Sequence, residues 1–173
     1  MAKKKLVIIG AGFGGVSAAE AIAQFPDFEI TLLDRRNFHS FQPLLYQVAM
    51  AGLNDSDIAV PLRTLFRRNK NVQVILAEVN QVDCINRRVY FDQKWIEYDY
   101  LIMSCGAKHA YFGNEQWEDI APGLKTVEQA TEIRRRVLTA FQIAEKIEDT
   151  KLQLQYLTFV IVGGGPTGVE LAG

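Results

Sequence analysis

The chain has 173 residues, of which 49% are hydrophobic, and a formal net charge of −1. That length suits one ordinary domain or slightly more, with ample apolar material for a core. The near-zero charge argues against a nucleic-acid partner, and the two cysteines (Cys84, Cys105) and two histidines (His39, His109) form no disulfide or metal-ligand pattern, so no metal site is expected and a reducing, cytoplasmic setting fits best.

The first residues, "KKKLVIIGAGFGGVSAAEAIA", have a basic start and a small A-x-A at Ala21-Ile22-Ala23. This superficially resembles a secretory leader, but the unbroken apolar run covers only Leu6 to Ile9, and glycines and Glu20 interrupt the residues after it. No segment approaches the ~20 apolar residues needed to span a bilayer. Leu6–Ile9 is instead expected as a buried strand, followed by a glycine turn and a small-residue helix from about residue 14 to 24. Phe28–Leu33 is the next strand, completing a βαβ unit with parallel pairing. Residues 35–57 read as irregular, with a short helix in "PLLYQVAM" that Pro43 would open. "PLRTLFRR" reads as another short helix.

The middle is rich in strands. "VQVILAEV" (72–79) is expected as one strand, with "RVYF", "WIEYDY" and "LIMSC" after it. "GAKHAYFGNEQWEDIAPG" reads as loop. Thr126 opens a helix with Gln129 placed for a capping box. Ala130, Ile133, Val137, Ala140, Ala144 and Ile147 form its apolar stripe, and Arg134–Arg136 read as its solvated side. "EDTKLQLQ" reads as a break before a last strand, "LTFVIV". Trp95 and Trp117 read as packing residues, His39 as a loop hydrogen-bonder, and Phe41 and Tyr46 as core aromatics or as part of a ligand pocket.

Two segments are copies of one pattern. "LVIIGAGFGGVSAAE" from Leu6 and "FVIVGGGPTGVELAG" from Phe159 share seven of fifteen positions. Each runs from an apolar stretch into G-x-G-x-x-G: Gly10, Gly12 and Gly15, then Gly163, Gly165 and Gly168. In a dinucleotide loop the first glycine permits the tight turn, the second lets the backbone approach a pyrophosphate, and the third lets helix and strand pack. The phosphates then meet a helix N-terminus. Asp34, at the end of the second strand, is placed to accept hydrogen bonds from a ribose diol. Plain turn glycines are the alternative. Two copies mean two dinucleotides, the layout of flavoprotein reductases with an FAD site first and an NAD(P)H site second.

Disulfide reductases of this layout carry a cysteine pair after the second strand, and no cysteine lies between Asp34 and Val60. In its place stands "DRRNFHSFQPLLYQVAMAGL". Together with "AEV", "YDYLIMSCGA" and "VGGGPTGVELAG", this stretch resembles the type II NADH dehydrogenases, single-subunit FAD enzymes that pass electrons from NADH to quinone at a membrane surface. The resemblance implies an α/β fold: a Rossmann-like FAD-binding domain with a parallel sheet and a small antiparallel meander over residues 1–115. Residues 116–173 would be a connecting helix and the start of a second Rossmann-like, NADH-binding domain, truncated here.

The resemblance also implies roles. Gly10, Gly12 and Gly15, with Phe13 and Gly14, would hold the FAD pyrophosphate. Asp34 would hold the ribose, with Arg35 near the adenine and Val79 on it through the main chain. Gln42, Pro43 and Leu44 would pass the flavin end. Ser104, Cys105 and Gly106 would form a turn near FAD. Cys105 departs from the family's usual residue and reads first as a small buried side chain, with a redox thiol as the alternative. Gly163, Gly165, Thr167 and Gly168 would bind NADH, the substrate. Glu170 would approach the nicotinamide and flavin; on physics alone it reads as a stabilising acid in a helix's first turn. The partners implied are quinone and the inner face of the cell membrane, through regions missing here, and a homodimer. By itself the chain is expected not to turn over quinone. A sulfide:quinone reductase is the rival enzyme, needing a cysteine pair for which Cys84 and Cys105 are poorly placed. A non-catalytic FAD-binding fragment is the other reading.

Overall fold

A computed structural model describes residues 2–173. The chain divides into two compact units. One takes in the chain through His39 together with Ala59–Ala107; the other takes in Ser40–Ile58 and Lys108–Gly173.

The first unit is built on a parallel sheet. Strands β1 (Lys4–Ile9) and β2 (Phe28–Asp34) flank helix α1 (Phe13–Ala23) in sequence. A short β3 (Phe38–Ser40) follows. After the excursion into the second unit come β4 (Ala59–Pro61), which pairs with β3, and a helix (Leu62–Leu65). Strand β5 (Val72–Leu76) and strands β6 (Val79–Asp83), β7 (Arg88–Phe91), β8 (Lys94–Glu97) and β9 (Tyr100–Met103) complete it. The main sheet has the order β5-β2-β1-β9, and β1 pairs in parallel with both β2 and β9. The expected continuous strand over 72–79 is broken at Ala77-Glu78. Its first half joins the parallel sheet beside β2, and its second half joins the antiparallel meander β6-β7-β8.

Alternation along β1 explains the layering, because successive side chains leave a strand on opposite faces. Leu6 and Ile8 pack with Ile30, Leu32 and the α1 residues Val16, Ala19 and Ala23, under Leu62 and Phe66. Val7 and Ile9 pack the other way, with Leu33, Ala77 and the meander's Val89 and Phe91. Both faces of β1 are therefore covered, which accounts for its unbroken apolar run. The small residues of α1 let it lie close on the sheet.

The second unit is helical. Gln42–Leu44 forms a 3-10 turn with Pro43 in its first positions, leading into α2 (Leu45–Ala49). Two further pieces replace predicted irregular stretches: α3 (Asp55–Ile58) and a 3-10 turn over Glu115–Asp119. In chain order the short helix at Leu62–Leu65 is α4, and the long helix is α5 (Val127–Ala144). Thr126 caps α5 by accepting from the Gln129 N–H at 3.2 Å. The Gln129 side chain reaches back to the N–H of Lys125 at 2.9 Å, one residue earlier than a standard capping box.

Three expectations fail here. The "EDTKLQLQ" break contains helix α6 (Thr150–Tyr156), because Asp149 accepts from the N–H groups of Lys151 and Leu152 and so caps it. Arg134–Arg136 are not simply a solvated side: Arg134 donates to the Leu53 carbonyl and Arg136 to those of Asp119 and Ile120. "LTFVIV" is not a strand. Residues 158–162 of it carry no regular structure, and Val160 and Val162 are 83% and 87% exposed. A strand needs a neighbour to satisfy its backbone; β1 has one on each side, and this segment pairs with none among the described residues. The last helix, α7 (Pro166–Ala172), follows it.

Candidate functional site

The carboxyl ends of the parallel strands share one edge of the sheet. The chain leaves β1 for β2 on one side, while β9 lies on the other, so β1 marks the switch point where such sheets bind ligands. The loop Gly10–Gly15 sits there.

The three glycines do different things. Gly10 has φ +96°, and a Cβ on it would collide with the Ser104 carbonyl. Gly15 lies against the Gly10 carbonyl, so a Cβ there would push helix from strand. Nothing lies within 4 Å of a Cβ placed on Gly12. Gly12 is also the N-cap of α1, with no side-chain cap bond and no acid in the first turn. This end of α1 therefore presents its dipole to open space, an arrangement suited to an anion.

Side chains from three directions brace the turn. Asp34, ending β2, accepts from the Ala11 N–H at 2.6 Å and from the Arg36 N–H at 2.7 Å. The Ser104 hydroxyl lies 2.9 Å from the Ile9 carbonyl oxygen and 2.7 Å from that of Gly10, and shares its one proton between them. His39 Nδ1 lies 3.0 Å from the Ala11 carbonyl oxygen. A carbonyl only accepts, so Nδ1 carries the proton. The His39 ring also meets Phe13 edge-on, with centroids 5.1 Å apart.

The first unit thus brings together Gly10, Gly12, Phe13, Gly14, Gly15, Asp34 and Ser104. Cys105 follows Ser104 and is exposed, which corrects its reading as a buried side chain. β9 is the edge strand of the sheet, and Cys105 to Lys108 beyond it are all exposed. Gly106 has φ +69°. Arg35 follows β2, and Val79 opens β6 opposite Phe91 beside a register irregularity. Cys84 lies in the β6–β7 turn and is also exposed. Trp95 is half-exposed, stacked under the Arg88 guanidinium at 4.0 Å, and Trp117 is half-exposed too, so neither is a core packing residue.

The remaining candidates belong to the second unit. Gln42 donates to the Lys125 carbonyl at 3.4 Å, with Pro43 and Leu44 in the same 3-10 turn. The second glycine loop repeats the first: Gly163 has φ +108°, Gly165 is the N-cap of α7 and faces open space, and Gly168 backs onto the Gly163 carbonyl. Thr167 is exposed. Glu170 is exposed and is the fifth residue of α7, which already begins at Pro166, so it lies beyond the first turn and is not a first-turn acid; α7 has none.

Sequence reading missed the cluster around His109. Its Nε2 lies 3.2 Å from the Glu118 carboxylate, which also accepts from Gln129. Gly123 lies against the ring so closely that a Cβ would strike it. Tyr111 stacks on His109 and donates to the Ala121 carbonyl at 2.6 Å; burial, then the Glu118 charge, raises its pKa. This cluster pins the loop ahead of α5, and its members are too scattered in sequence to form a motif. Among the described residues no His/Cys/Asp/Glu group could hold a metal, and no helix is long and apolar enough to cross a membrane.

The chain is 47% identical to the type II NADH:quinone oxidoreductase NdhA of Mycobacterium tuberculosis, over 99% of its own length and 37% of the relative's. It superposes on NDH2 from Plasmodium falciparum, solved in complex with NADH, with TM-score 0.83 and 25% identity over 98% of this chain and 36% of that one. It also matches the sulfide:quinone oxidoreductase of Aquifex aeolicus, with TM-score 0.73 and 32% identity over 80% of this chain and 32% of that one. The chain thus spans about a third of the length of these relatives. Residues 4–173 match the pyridine nucleotide-disulphide oxidoreductase family, although the chain lacks that name's cysteine pair after β2, and the chain belongs to this family.

Proposed function

We propose that this chain carries the FAD pyrophosphate site and the first part of the NADH site of a type II NADH:quinone oxidoreductase. The observation that carries the reading is the repeated loop: a first glycine at positive φ, a second opening a helix into free space, and a third closed against the first. FAD, when bound, supplies the redox centre between nicotinamide and quinone. The chain's own contribution is placement. The uncapped start of α1 suits a pyrophosphate, and the space at Gly12 is what a backbone approach requires.

The Asp34 carboxylate keeps lone pairs beyond the two N–H groups it accepts, which suits it to a ribose diol. Arg35 and Val79 are assigned to the adenosine end, and Ser104, Cys105 and Gly106 to the turn beside FAD. In the second unit, Gln42, Pro43 and Leu44 are assigned to the flavin, Gly163, Gly165, Thr167 and Gly168 to NADH, and Glu170 to the nicotinamide. The division at residue 115 between an FAD-binding and an NADH-binding part, the inner face of the cell membrane as the place of work, and a homodimer complete the proposal.

The likeness to a sulfide:quinone oxidoreductase favours a second reading. That chemistry needs paired thiols, and here Cys84 and Cys105 sit in different places, one in the β6–β7 turn and one after β9. Assay of the protein at the length of its relatives separates the two. NADH-dependent reduction of a soluble quinone is expected; quinone reduction with sulfide and none with NADH would overturn the proposal.

A further inference from the structure

We propose that His39 is a positioning residue for the dinucleotide loop, acting through its Nδ1–H on the Ala11 carbonyl. The inference rests on the FAD reading above and adds a residue to it. Three consecutive peptide planes make the turn from β1 into α1. Ser104 holds the 9–10 plane through the Ile9 carbonyl, and the 10–11 plane through the Gly10 carbonyl. Asp34 holds the other side of the 10–11 plane through the Ala11 N–H. The 11–12 plane is the last before the helix, and His39 is the side chain on its carbonyl.

Fixing that plane fixes where Gly12 and the following N–H groups face. Gly12 has no side chain and nothing lies within 4 Å of its Cβ position, while its carbonyl accepts from the Val16 N–H at 3.0 Å, so the plane ahead of it sets how the helix start faces. With its carbonyl unheld, the 11–12 plane would have to be ordered when the pyrophosphate binds, and that ordering weakens affinity. His39 removes part of that cost in advance. It is placed to do so by β3, which brings it back to the loop 28 residues after Ala11.

The ring and the donor can be separated by substitution. His39→Phe keeps a ring for the Phe13 contact and removes the N–H. His39→Asn removes the ring and keeps an N–H at the same bond distance from Cβ. Binding of FAD to the purified full chain is measured by quenching of flavin fluorescence, with thermal melting as the check on folding. The expected result is a loss of affinity of roughly 3- to 10-fold in His39→Phe, the size of one lost hydrogen bond, with His39→Asn within about twofold of the parent. Equal binding in His39→Phe, or a loss in His39→Asn as large as in His39→Phe, overturns the inference while leaving the FAD site intact. If His39→Phe does not fold, His39→Asn decides alone: near-parental binding supports the role and weakened binding overturns it. A parent chain that takes up no FAD overturns the FAD reading, and this inference with it.

Discussion

Gly12 and Gly15 hold different places in the G-x-G-x-x-G pattern, and the structure separates them in the same way. A Cβ at Gly12 meets nothing, and one at Gly15 meets the Gly10 carbonyl. Gly12→Ala should therefore leave the melting temperature within a few degrees, while weakening FAD binding by occupying the pyrophosphate's space. Gly15→Ala should destabilise the fold itself by about 1–3 kcal/mol, as overpacking does. Melting curves and FAD titrations of the two variants check this; unchanged FAD binding in Gly12→Ala contradicts the assigned role. The glycines are legible in the sequence because the turn's demands fall on local spacing. The braces are not. Ser104 acts across 94 residues and His39 across 28, and nothing local marks a serine or histidine for such a contact.

At the scale of elements, "LVII" and "FVIV" show how far local pattern reaches. Both read as strands in the sequence, and only the first is one, since β1 lies between β2 and β9 while Phe159–Val162 pairs with no strand among the described residues. Amide hydrogen exchange should separate them: slow for Leu6–Ile9 and fast for Phe159–Val162. Equal protection would show that the second segment is paired.

Helix α5 is legible from its stripe and its cap, but the partners of its arginines are not. Glu132 accepts from Arg135 and Arg136, and these hydrogen bonds lower its pKa from 4.5 to about 2. Its folded-state pKa lies below the unfolded value. The stabilisation is thus complete above about 4.5 and is lost as the pH falls towards about 2. The pair is solvent-accessible, so the effect is modest. Melting between pH 7 and pH 3 should fall further in the parent than in Glu132→Gln; parallel falls contradict the assignment.

For the whole molecule, the parallel βαβ unit and the glycine turn can be read from strand runs and glycine spacing, and the fold agrees with them; the antiparallel meander is implied by the family resemblance. The division into two units cannot be read in this way, because Ser40–Ile58 leaves its sequence neighbours to join residues 108–173. That choice depends on contacts far apart in the chain, such as Arg134 with Leu53.

The FAD role proposed for the Gly10–Gly15 loop has a direct test. The purified chain is reconstituted with FAD and bound flavin is measured by its absorbance, beside Gly12→Ala. About one FAD per chain is expected, bound more weakly in the variant, with a melting temperature that rises with FAD concentration. A colourless chain that cannot be reconstituted, or flavin uptake indifferent to Gly12→Ala, would contradict that role.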